Sequence, residues 1–78
     1  RAVTDLGERS NDTYLTSSVK ARLLESEAVK SLYIKVVTER RVVYLMGIVS
    51  REEGETAARI AATTDGVARV VKLFEYTN

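Results

Sequence analysis

Three groups of side chains in this 78-residue sequence have types and spacing that could do chemistry. Glu52, Glu53 and Glu55 lie close enough along the chain to hold a hard cation or to share a proton. Arg40 and Arg41 are adjacent and could meet a phosphate. Tyr14, Ser17, Ser18 and Lys20 place hydroxyls beside a cation.

For most of these a structural role is simpler. A serine becomes a nucleophile only beside a base, and the chain has no His and no Cys. The same absence removes the commonest general base, the commonest transition-metal ligand, thiolate ligands and disulfides. Ser50 followed by Glu53 fits a capping box, so the glutamates are expected to serve the amides and dipole of a helix N-terminus. The arginine pair fits a solvated hairpin tip, with no interleaved aromatics to stack nucleic-acid bases. Tyr33 and Tyr44 are expected on the outer face of a sheet, in cross-strand packing. Twelve basic and eleven acidic residues leave a net charge of +1, so no overall field draws in nucleic acid or a membrane, and any electrostatic recognition must be local. No stretch approaches the ~20 apolar residues that span a bilayer. One small core, with roughly 3 to 5 kcal/mol of stability, leaves little room for a large buried active site. The expectation is a non-enzymatic domain without cofactor or metal.

The elements that position these groups follow from hydrophobic period. Asn11 or Asp12 can cap a helix over about 13–25, whose stripe of Leu15, Val19 and Leu23 recurs every fourth residue. A loop or short turn is expected over 25–31. Strands are expected over 33–38 and 42–49, with Ile34, Val36, Val43 and Leu45 facing the core. Gly47, inside a strand, marks a bulge or a close backbone approach. A second helix runs from the Ser50 cap to about residue 64, with Ala57, Ile60, Ala61 and Thr64 inward and Gly66 as its C′ residue. A last strand lies within 67–76. It carries apolar residues on both faces, so alternation does not say which is buried.

At about 100° per residue, the Leu15, Val19 and Leu23 stripe leaves Tyr14, Ser17, Ala21 and Leu24 on the opposite side, with Lys20 and Ser18 at its edges. Charged residues would ordinarily fill that side. A tyrosine, an alanine and a leucine beside a lysine suit an anionic bilayer surface: the ring rests at headgroup level, Leu24 enters the acyl edge and Lys20 meets a phosphate. A protein contact through the same side, or through the outer face of the sheet, is the alternative.

The motifs Ile34-x-Val36, Val43-x-Leu45-x-Gly47-x-Val49 and Gly66-Val67-x-x-Val70 resemble the BON domain of bacterial envelope proteins. With Asn11-Asp12-Thr13-Tyr14, Val43-Tyr44-Leu45-Met46-Gly47 and Ala57-Ala58 before Asp65-Gly66-Val67, the chain looks most like the second BON domain of dual-BON outer-membrane lipoproteins of the DolP type. The resemblance implies an α+β fold of αββαβ order, with two helices on one face of a three-stranded mixed sheet. It implies residues 1–10 as a linker from a preceding domain and 11–78 as the BON domain. A signal peptide, an acylated Cys and a first BON domain would lie upstream. It further implies a place on the periplasmic side of the outer membrane, a role in envelope integrity and at the division site, and no catalysis. Phosphatidylglycerol-like lipid would bind through helix one at Tyr14, Ser17, Ser18, Lys20, Ala21 and Leu24; a second BON domain is the alternative partner. Such domains usually have glycine in the turn where Glu39-Arg40-Arg41 stands, so the residue expected at positive φ is missing and the turn type stays open.

Overall fold

The first helix, α1, spans Ala2–Glu25, so it starts well before the expected cap at Asn11 or Asp12. The computed structural model describes residues 2–29 and 33–77, with side chains over 11–29 and 33–77; residues 30 and 31 of the expected loop and residue 78 lie outside this range. Asp12 therefore lies inside the helix, and its carboxylate serves a distant part of the chain instead of a cap. Its Oδ2 and Oδ1 accept the backbone N–H groups of Arg40 and Arg41 at 2.9 and 3.0 Å.

Those two arginines form the turn between β1 (Ile34–Glu39) and β2 (Val42–Val49), which pair antiparallel with Glu39 opposite Val42. Their φ values, 51° and 68°, are both positive, the mark of a two-residue type I′ turn. The turn is thus built without glycine. Left-handed backbone costs a residue that carries a Cβ roughly 1 to 2 kcal/mol. Two hydrogen bonds to a carboxylate at this exposed site, together contributing about 2 kcal/mol, offset much of that cost and dock the hairpin on α1.

The second helix, α2 (Arg51–Ala62), begins as its sequence requires: Ser50 Oγ accepts from Glu53 N at 3.1 Å and Glu53 Oε1 accepts from Ser50 N at 3.0 Å. Its C-cap is Thr63, so Gly66, three residues later at φ 95°, shapes the following turn and is not the C′ residue. A Cβ at Gly66 would stand 2.9 Å from Leu15 Cδ2, a second reason for glycine there.

The chain ends in β3 (Arg69–Tyr76), parallel to β2, and the sheet order is β1-β2-β3. Ile34, Val36 and Thr38, then Val43, Leu45 and Val49, then Val70, Phe74 and Tyr76 face the helices, which settles the orientation of the last strand. Leu15, Val19 and Leu23 meet them with at most 1% exposure, and Ala57 and Ala61 with none. The small stripe lets α2 lie close. Gly54 extends it, since a Cβ there would come within 3.1 Å of the Phe74 ring. At Gly47 the approach is backbone to backbone: φ is 143° and a Cβ would overlap the Tyr33 carbonyl oxygen.

The helices are joined to each other and to the sheet by polar contacts. Arg22 Nη1 donates to the Ile60 carbonyl and to Thr64 Oγ1, both at 2.9 Å, satisfying the open C-terminal end of α2. Thr16 Oγ1 donates to Thr38 Oγ1 at 2.7 Å between α1 and β1.

Candidate functional site

The free side of α1 is set by the stripe that the core claims. Because Leu15, Val19 and Leu23 are buried, Tyr14 is left 66% exposed and Leu24 69% exposed. Ser17, Lys20 and Ala21 are exposed between them, and Ser18 is half-buried. The six residues therefore lie on one surface, as their spacing requires. Tyr14 and Leu24 are separated by about 15 Å at 1.5 Å per residue. With α1 beginning at Ala2, Tyr14 stands in mid-helix, a correction to the expected position at a helix start. A residue that the sequence reading passed over joins them: Glu25, exposed, falls at an angle between Tyr14 and Ser18. Its carboxylate partly offsets Lys20, so the surface is close to neutral, with Tyr14, Ala21 and Leu24 set among Ser17, Ser18, Lys20 and Glu25.

The other groups are occupied structurally. Glu53 closes the capping box of α2, and Glu55 Oε2 pairs with Lys72 Nζ at 3.3 Å across to β3. Among the described residues, no cluster of His, Cys, Asp or Glu is arranged to hold a metal ion. Arg41 is less free than a solvated tip would be, since its Nε donates to the Gly66 carbonyl at 2.8 Å. Arg51 lies over the Tyr76 ring, 4.6 Å from its centroid. Tyr33 is 65% exposed and Tyr44 half-buried. No described helix is long and apolar enough to cross a membrane.

Sequence comparison gives this arrangement its relatives. The chain is 35% identical over 71 residues to the 21 kDa hemolysin of Actinobacillus pleuropneumoniae, covering 91% of this chain and 37% of that protein. It is 37% identical over 67 residues to the outer membrane lipoprotein DolP of Haemophilus influenzae, covering 86% and 35%. With the osmotically-inducible protein Y of Escherichia coli the identity is 34% over 70 residues, covering 88% and 35%. The chain thus spans little more than a third of the length of each of these curated relatives. The BON domain pattern matches residues 11–78, the stretch that holds the two-strand hairpin, the capped second helix and the parallel last strand. The chain belongs to the BON domain family.

Proposed function

We propose that this BON domain is a non-catalytic module of the bacterial envelope that binds anionic phospholipid through the free side of α1. The observation that carries the reading is the pair Tyr14 and Leu24, both about two-thirds exposed, on the side of a helix whose other side is fully buried, with Lys20 between them. An envelope setting is supported by the 37% identity to a protein named as an outer membrane lipoprotein. In that setting the domain faces the periplasm as part of a lipoprotein, as a second BON domain, and supports outer-membrane integrity and the division site.

The energetics fit a surface that works when it is already held near a membrane. Burying Leu24 contributes roughly 2 kcal/mol. A basic residue near an anionic leaflet adds about 1 kcal/mol, and Glu25 opposes part of it. A total of about 3 kcal/mol corresponds to a millimolar or weaker dissociation constant. A lipid anchor elsewhere in the protein would raise the effective concentration enough to make such a contact useful.

The test is sedimentation of the chain with vesicles of phosphatidylglycerol or phosphatidylcholine at two ionic strengths. Binding is expected to phosphatidylglycerol alone and to weaken with salt. Lys20→Glu should weaken it further at low salt and by less at high salt. With lipid raised to about ten millimolar to match that affinity, equal binding to both lipids, or to neither, would refute the proposal.

A further inference from the structure

Strand β1 is an edge of the sheet, so half of its backbone groups have no neighbouring strand to bond. The register says which half. A two-residue turn closes with a hydrogen-bonded pair, here Glu39 with Val42, and bonded pairs recur at Val37 with Tyr44 and at Lys35 with Met46. The other side of β2 agrees: Thr77 N donates to the Val49 carbonyl, which places Val43, Leu45, Gly47 and Val49 toward β3. The N–H and C=O groups of Ile34, Val36 and Thr38 therefore point away from the sheet, and among the described residues none of these backbone groups has a partner. The three residues are only 7%, 5% and 9% exposed. Backbone groups so little exposed are nearly always paired, so a row of them without partners calls for one.

A groove of about 400 Å³ runs beside that edge, lined by Asp12, Thr13 and Thr16 of α1 and by residues 36–39 of β1 and its end. Helix α1 packs over β1 and forms one wall. A second copy cannot bring its own β1 here, because a twofold pairing of the two edges would set the α1 helices roughly 5 Å apart, where packed helices need about 8 to 10 Å. The occupant is a strand that carries no helix on that side. We propose that the β1 edge takes up an extended segment of a partner polypeptide as a further strand, antiparallel to β1.

The register also sets the chemistry of that segment. Its residues opposite Val36 and Thr38 exchange hydrogen bonds with β1 and turn their side chains into the groove beside Thr13 and Thr16. The Thr16 to Thr38 hydroxyl bond, 2.7 Å long, narrows the groove there, so small residues fit. Residues opposite Lys35, Val37 and Glu39 face the other way. Lys35 and Glu39 are exposed, and among the described residues neither is held in an ion pair. A basic residue opposite Glu39 and an acidic one opposite Lys35 complement them, with a β-branched residue opposite Val37. Read from its N-terminus, the segment runs basic, small, β-branched, small, acidic. The groove shares no residue with the lipid surface proposed for α1, so the two can be occupied independently.

The test is titration of the isotope-labelled 78-residue chain with the end-capped peptide Lys-Thr-Val-Thr-Glu, followed through the backbone amide shifts. For so short a segment a dissociation constant on the order of 1 mM is expected, so the peptide is taken to about 10 mM. The largest shifts should fall at Ile34, Val36 and Thr38, whose N–H groups gain an acceptor, and their exchange with solvent should slow. Methylating the nitrogen of the peptide's fourth residue, opposite Val36, removes a donor to β1 and should weaken binding about tenfold. Methylating that of the third residue, which points away from β1, should leave binding within about twofold. Glu39→Lys should weaken binding about fivefold, and a peptide with Glu in place of its Lys should restore it on that variant. No shift up to the highest concentration, shifts centred on β3, or equal loss with both methylated peptides would overturn the proposal. Concentration-dependent shifts at the β1 edge of the peptide-free chain would also overturn it, by assigning the edge to a second copy.

Discussion

Both helices bury one stripe against the same sheet, large residues from α1 and small ones from α2, yet they differ in what holds them. Helix α2 is specified locally: Ser50 and Glu53 cap its start, glutamates fill its first turn, and small residues face the strands. Helix α1 is specified from a distance. Its Asp12 binds the hairpin turn, its Thr16 meets Thr38, and its Arg22 closes the end of α2. The side that none of these contacts uses is the one with exposed Tyr14 and Leu24. A helix fixed by its neighbours on one side can vary its chemistry on the other without loss of fold.

The sharpest way to break this contrast is at the buried stripe of α1. Leu23→Glu removes a fully buried side chain and adds a charge with no partner, a loss of more than about 4 kcal/mol. Set against the roughly 3 to 5 kcal/mol available to a single small core, this should unfold the domain. Loss of the helical circular dichroism signal at 25 °C checks it; a cooperative melt near the parent temperature would contradict the assignment of that side to the core.

Much of this architecture was legible from sequence because its signals are local. Period-2 alternation placed Ile34, Val36, Val43 and Leu45, period-4 recurrence placed Leu15, Val19 and Leu23, and Ser50 with Glu53 placed the start of α2. The illegible parts depend on partners far along the chain. Asp12 has the side chain of a cap, and nothing near it in sequence shows that its carboxylate binds the hairpin turn. Arg40 and Arg41 take positive φ although nothing in their types favours it, because that same carboxylate holds their amides. Gly54 passed unnoticed since close packing against Phe74 has no sequence period, and β3 became readable only through its parallel register with β2. The exposed side of α1 was legible as a surface, since it is what the core stripe leaves over.

The distant and the local anchoring can be compared directly. Asp12→Ala removes both acceptors of a turn at positive φ and should cost about 2 kcal/mol, visible as a lower urea midpoint. Ser50→Ala removes one cap contact of α2 and should cost about 1 kcal/mol. If the order is reversed, the hairpin does not depend on α1 in the way its hydrogen bonds imply.

The smallest expected change in stability belongs to the largest expected change in function. Leu24→Glu, on the free side of α1, should shift stability by less than about 0.5 kcal/mol, as surface substitutions do. It should also remove apolar insertion and add repulsion from an anionic surface. The decisive measurement is a binding isotherm of the parent and Leu24→Glu chains on phosphatidylglycerol vesicles, with melts recorded on the same samples. The account predicts an unchanged melt and loss of most of the binding; a folded Leu24→Glu chain that binds as the parent does would show that α1 is not the membrane face.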